Sequence, residues 1–215
     1  MYVRVKVMLT KVLAGLLLSA TFTCFAQETI ESVMAHMQPE VAVQIAYQET
    51  RYMGLLSEDW HGSGFLYAAA PNTLLKQQQQ PDIEIMAAAG SQLTYSKPST
   101  QTYHQLQIDE SDPMMASLAA FKGIMTGNLP FLRQAYYLQF SASESLWELE
   151  LTAKEHEPEE AALKIIMQGL PAQAANKMTV FLPDGDRSAY ILSKPEQGLL
   201  VKQKLVNLLQ SLKGH

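Results

Sequence analysis

The spacing of apolar and polar residues changes period along this chain, and each change marks an element. Over residues 28–38, Ile30, Val33, Met34 and Met37 recur at helical spacing, and Pro39 stops the run. Over 41–52 the period falls to two. Val41, Val43, Ile45 and Tyr47 alternate with Ala42, Gln44, Ala46 and Gln48, which predicts a strand with one strongly apolar side. Residues 55–59 read as a loop and 60–68 as a strand in which Gly62 and Gly64 predict a bulge or bend. The stretch 64–95, GFLYAAAPNTLLKQQQQPDIEIMAAAGSQLTY, holds four short strand-like runs at 65–68, 73–79, 83–88 and 92–95. Pro71-Asn72, Pro81-Asp82 and Gly90-Ser91 separate them, and connections this short allow only antiparallel neighbours. Residues 101–108 predict one more strand.

Helical spacing then returns. Asp112 and Pro113 are placed as N-cap and first helical residue, and Met114, Leu118, Phe121 and Met125 form a stripe with Met115, Ala119 and Ile124 beside it. Gly127 is the expected C-cap, and a second short helix is expected over 129–135. Strands resume with Tyr136, Leu138 and Phe140. Next, Trp147, Leu149 and Leu151 alternate with Glu148, Glu150 and Thr152 in the clearest period-two segment of the chain. An acidic turn at 154–160 leads to strands carrying Leu163, Ile165 and Met167, then Met178, Val180 and Leu182. Asp184-Gly185 signals a type I′ hairpin, and 186–192 closes the sheet. Residues 199–212 form an amphipathic helix with Val201, Leu205, Leu208 and Leu212 on one face and Lys202, Gln203 and Gln210 opposite. Nothing in this order makes βαβ units. It predicts a mainly β (α+β) domain: one strongly curved antiparallel sheet of about eleven strands, with a helix over its concave face.

The first residues stand apart. Arg4, Lys6 and Lys11 precede an apolar run over 12–20 and the end Cys24-Phe25-Ala26, the layout of a cleavable secretory signal peptide at 1–26. The run is shorter than the ~20 apolar residues a membrane anchor needs. Thr21-Phe22-Thr23 before Cys24 also lacks the pattern of a lipid-modified cysteine. A single domain over 27–215 follows, exported from the cytoplasm. Cleavage would remove the only cysteine and three of the 16 basic residues, leaving 13 against 21 acidic ones and moving the formal charge from −5 to −8. A thiol-free acidic domain suits an oxidising compartment and argues against a nucleic-acid partner.

No arrangement of residues carries a catalytic mechanism. There is no G-x-S-x-G elbow, and His61-Gly62-Ser63-Gly64 sits inside a predicted strand. His36, His61, His104, His156 and His215 lack metal-ligand spacing, so no metal or cofactor is expected. Glu155, Glu157, Glu159 and Glu160 around Pro158 read as a solvated hairpin, and Asp184, Asp186 and Arg187 as parts of the last turn. What remains is an excess of soft apolar side chains. Nine methionines follow residue 26, and Met114, Met115 and Met125 share one helix, as in surfaces that fit varied apolar ligands and equally in ordinary helix-on-sheet cores.

The order of the motifs resembles a known family. Gly64-Phe65-Leu66-Tyr67, Ala70-Pro71-Asn72, Pro81-Asp82-Ile83-Glu84 and Gly90-Ser91-Gln92-Leu93-Thr94 are similar to the core of the periplasmic lipoprotein carrier (LolA) family. The Pro-x-x-Glu step is closer to a LolA-related branch associated with export of aryl polyene or other acyl products. Tyr47-Gln48-Glu49-Thr50-Arg51, Thr126-Gly127-Asn128-Leu129 and Gly185-Asp186-Arg187-Ser188 extend the likeness over residues 34–192. The resemblance implies an unclosed barrel with a helical lid over an apolar cavity. It implies a non-enzymatic, monomeric carrier of lipid, acyl or lipoprotein-type cargo, with inner-membrane donor and outer-membrane acceptor proteins. It implies a lining of Tyr47, Phe65, Tyr67, Ile83, Ile85, Met114, Leu118, Phe121, Met125, Leu138, Phe140, Trp147 and Leu149. One residue departs from the pattern: Ala70 stands where the best-known carriers have an arginine that holds the lid shut, which counts against lipoprotein as the cargo. An envelope interaction protein with a filled core, and a lipid-ester hydrolase using His61 and Ser63, are the alternative readings.

Overall fold

The computed structural model describes residues 28–54, 57–71, 73–107, 113–154 and 161–212, giving the helix without its side chains over 113–117. The expected signal peptide, the expected N-cap Asp112 and most of the acidic turn lie outside the described residues. Helix α1 (Ile30–Met37) opens the described chain, and the Thr29 side chain accepts a hydrogen bond from the Ser32 backbone amide in a capping box. A meander follows: β1 (Val43–Tyr52), β2 (Trp60–Ala69), β3 (Thr73–Gln80), β4 (Glu84–Ala89), β5 (Gln92–Lys97) and β6 (Thr102–Gln107). Helices α2 (Pro113–Met125) and α3 (Leu129–Ala135) interrupt it. A second meander comprises β7 (Tyr136–Ala142), β8 (Trp147–Ala153), β9 (Lys164–Gly169), β10 (Ala175–Phe181) and β11 (Arg187–Leu192). The two-residue β12 (Glu196–Gln197) and helix α4 (Leu199–Ser211) end it.

All twelve strands join one antiparallel sheet in the order β6-β5-β4-β3-β2-β1-β11-β10-β9-β8-β7, with β12 beside β1. The two meanders meet at the pair β1–β11, where Tyr47 faces Leu192 and Glu49 faces Tyr190. The last long strand therefore joins the halves at the centre, and among the described strands β6 and β7 are the two ends. The sheet is an unclosed barrel. The chain travels from one end to the other through α2 and α3, so these helices are drawn over its inner face. There Ala120, Ile124, Met125, Leu129 and Leu132 share one core with α1 and the inward side chains of the strands.

Local chemistry explains the breaks. Helix α2 ends in a Schellman motif: Gly127 has φ 65°, its amide donates to the Ile124 carbonyl at 3.0 Å, and the Asn128 amide donates to Gly123 at 2.8 Å. Asn128 then caps α3 by accepting from the Phe131 amide at 3.3 Å. The hairpin at Asp184-Gly185 differs from the type I′ turn expected. Only Gly185 has positive φ, and Leu182 donates to Asp186 across a three-residue loop at 2.9 Å. One left-handed residue suffices for a three-residue loop, whereas type I′ needs two.

The bend expected in β2 is a register shift between Ser63 and Gly64. A Cβ on Gly64 would stand 2.0 Å from the Gln77 carbonyl oxygen, a backbone atom fixed by the neighbouring strand. Gly64→Ala is therefore expected to destabilise the fold by about 1–3 kcal/mol through overpacking. Gly54→Ala, whose added Cβ meets nothing within 4 Å, should be close to neutral. Urea denaturation of both variants checks the contrast.

Candidate functional site

The inner and outer faces of the first meander are both buried, against different partners. Inward point Val43, Ile45 and Tyr47 of β1, Leu66 and Ala68 of β2, Leu74 of β3 and Ala88 of β4, all in the core beneath α1, α2 and α3. Outward point Ala42, Tyr67, Leu75, Ile85 and Ala87, which pack against Val201, Leu205 and Leu212 of the C-terminal segment. The amphipathic face expected of α4 is the face it uses there, and Lys204 Nζ donates to Gln44 Oε1 at 3.3 Å beside it.

The residues expected to share one lining consequently divide. Tyr47, Leu118, Phe121, Met125, Leu138, Phe140, Trp147 and Leu149 all belong to the inner core beneath the lid helices. Phe65, Tyr67 and Ile85 lie on the other face, under α4. Ile83 precedes β4 in the turn opened by Pro81 and is 54% exposed. The cause is parity: Phe65 pairs with Ala46 and Tyr67 with Gln44, both on the outward side of β1, while the inward row of β2 is Leu66 and Ala68. The Met114 side chain lies outside the described residues.

Within the inner face the apolar side chains are not covered equally. Trp147, Leu149, Leu151, Ile165 and Met167 are fully buried. Trp147 Nε1 donates to the Gln173 carbonyl at 3.1 Å. At the margin, Leu118 and Phe121 of α2, Phe131 of α3, and Leu138 and Phe140 of the end strand β7 stay partly exposed while packing on that core. Phe121 reaches Tyr190, with ring centroids 6.2 Å apart. A polar tie also joins lid and sheet. Lys122 Nζ of α2 donates at 3.3 Å to the Gly90 carbonyl in the turn between β4 and β5. Ala70 is exposed in the turn between β2 and β3.

Sequence reasoning gave Glu49 no role of its own. Its parity with Val43, Ile45 and Tyr47 was the available signal, since a charged residue on an inward row requires a buried partner. Glu49 is 2% exposed. Lys76 Nζ donates to one carboxylate oxygen at 2.5 Å, and Arg51 Nε and the Tyr190 hydroxyl donate to the other at 2.6 and 2.8 Å. Burial pushes the Glu49 carboxyl up, but the adjacent Lys76 and Arg51 charges outweigh burial and hold it below the ordinary carboxylate range. The Arg51 guanidinium also lies 4.2 Å from the Trp60 ring centroid. His61 is exposed, with its Nδ1 paired with the Thr50 hydroxyl at 3.2 Å, and Ser63 is half-buried.

No family model matches this sequence, and no curated protein does. Solved structures similar to it include a LolA superfamily protein from Nitrosomonas europaea, 10% identical over 79% of this chain and 92% of the other, TM-score 0.43. A DUF1329 family protein from Desulfovibrio piger is 9% identical over 79% and 91% of the two chains, TM-score 0.47. The lipoprotein LppX of Mycobacterium tuberculosis is 11% identical over 79% and 94%, TM-score 0.43. Among the described residues no helix is long and apolar enough to cross a membrane.

Because the folded carboxyl binds its proton more weakly than the unfolded one, Glu49 contributes stability above the ordinary carboxyl pKa of about 4, and that contribution is lost as pH falls through the lowered native value. Lys76→Met removes a partner of a buried ion pair and is expected to cost about 3–5 kcal/mol at pH 7. The gap from the unmodified protein should narrow as pH falls through the lowered native value, where Glu49 protonates in both. Denaturation curves at pH 7 and pH 3 measure it.

Proposed function

We propose that this protein is a non-enzymatic carrier that shelters an acyl- or lipid-type apolar molecule between its curved sheet and the lid helices, working in the periplasm between inner and outer membranes. The observation that carries this reading is the partly covered apolar margin of the inner face: Leu118, Phe121, Phe131, Leu138 and Phe140, contributed by the lid and by an unpaired end strand. A margin between a helix pair and a sheet end is where two bodies separate at least cost. Among the described residues no strand ladder crosses from β7 to β6, and the lid is tied to the rest of the chain mainly by side-chain packing. Opening it exposes apolar area at about 25 cal/mol per Å², and an apolar ligand offsets that cost by covering the same area.

The motif resemblance of residues 34–192 to lipoprotein carriers supports the same reading. The absence of an arginine at Ala70 favours a simple acyl or polyene molecule over an acylated protein as cargo. In this reading an inner-membrane protein loads the carrier and an outer-membrane protein unloads it, with the carrier a monomer in transit.

Two measurements test it. Native mass spectrometry of protein purified from the periplasm should show a co-purified acyl-type molecule of discrete mass. Phe121→Glu should leave circular dichroism intact, because the side chain is already partly exposed, and should weaken displacement of a fluorescent fatty acid by about tenfold or more, since the charge would have to be buried against the ligand. A wild type that carries nothing and binds no fatty acid would defeat the proposal and favour a filled core.

A further inference from the structure

The inward row of β1 changes character along its length. Val43 and Ile45 are apolar and buried, Tyr47 is aromatic with a hydroxyl, and Glu49 and Arg51 are charged. At the strand rise of about 3.4 Å per residue, each step along this row advances about 7 Å, so the inner face has an apolar end and a polar end. Tyr47 stands at the junction. It is 2% exposed, and among the described residues its hydroxyl is the only buried side-chain polar atom without a hydrogen-bond partner. Buried polar groups are almost always paired, so such an orphan marks a place where an acceptor belongs. Burial, with the Glu49 carboxylate adding to it, pushes the phenol above its ordinary range, so it stays protonated and can only gain by donating.

A cationic donor stands beside the Tyr47 ring. Lys76 Nζ gives one proton to Glu49 and lies 5.0 and 5.3 Å from the ring centroids of Tyr47 and Tyr190, leaving ammonium protons to offer. Arg51 spends its Nε on Glu49, and its side chain is 38% exposed. Glu49, Lys76 and Arg51 together carry a formal charge of one positive unit. The nearby Glu84 is engaged by Lys97 at 2.8 Å, and Asp82 by the same lysine at 3.2 Å. Glu84 and Asp82 share the single positive charge of Lys97, so the six groups together are neutral, and what remains to a ligand beside Tyr47 is the hydrogen-bonding capacity of the Lys76 ammonium and the Arg51 guanidinium.

We propose that Tyr47, Lys76 and Arg51 form a head-group site for the carboxylate of a long-chain acid whose tail lies along the Val43–Ile45 end of the inner face beneath α2. The site rests on the carrier reading above and adds to it the chemical class of the ligand's polar end. The partly exposed Lys76 and Arg51 border solvent and meet the head group first. Tyr47 receives it once the lid has parted.

The test compares three ligands of equal chain length, palmitic acid, its methyl ester and a palmitoyl lysophosphatidic acid, on delipidated full-length mature protein and on Tyr47→Phe. Since the Tyr47 hydroxyl makes no bond in the empty protein, Tyr47→Phe should fold with an equal or higher Tm. The wild type should bind the acid about tenfold more tightly than the ester, the worth of a hydrogen bond to a charged group, and Tyr47→Phe should lose most of that preference. Equal binding of acid and ester by the wild type would overturn the head-group site while leaving the carrier reading intact. Preference for the phosphate head, or a preference retained in Tyr47→Phe, would overturn it as well. Binding of none of the three would remove the carrier reading and this site with it.

Discussion

Burial of the inward row of β1 is the constraint from which the rest of the architecture follows. Among the described residues it is the only strand paired with three others, holding β2 on one edge and β11 and β12 on the other. A strand so placed has no backbone edge to offer solvent, and its apolar inward row must find cover. The inward row found it in α1, α2 and α3, while on the outward row Gln44 is buried beside Lys204 of α4 and Gln48 stays exposed. Among the described strands the unpaired backbone edges are displaced to β6 and β7. Any movement of the lid takes place against that fixed centre.

The same strand sets the polarity of the inner face. Charge enters the row only at Glu49 and Arg51, and it is tolerated because β3 supplies Lys76 and β11 supplies Tyr190 at hydrogen-bond distance. A carboxylate with three donors is expensive to assemble and more expensive to leave half-built. The cluster therefore pins the register of β1 against β11 and the placement of β3 at once. It joins the two meanders by chemistry as well as by backbone pairing. An inner surface that is apolar at one end and donor-rich at the other is amphipathic, as is any molecule with an acyl tail and a polar head.

Which parts of this were legible beforehand follows from the range of the interactions. The succession of strands, the helix pair between the meanders and the C-terminal helix were determined by the sequence itself, because period and turn chemistry act over a few residues. Helix α3 and the bulge at Ser63 and Gly64 stand where those local signals put them. The amphipathic stripe Val201, Leu205, Leu208 and Leu212 is the stripe that α4 buries. Antiparallel order also followed, since loops so short permit nothing else.

The tertiary structure alone decided which face each row meets. Alternation fixes that Phe65 and Tyr67 share a side and that Leu66 and Ala68 share the other, but it does not say which side carries the lid. With apolar residues on both rows of β2 the pattern is symmetric to the reader and asymmetric only in the folded chain. The destination of α4 was hidden for the same reason, because an amphipathic helix specifies that it will be covered and not by what. Glu49 was hidden by distance: its partner Tyr190 lies 141 residues away, and no local pattern links two residues whose pairing is created by β1 and β11 coming side by side.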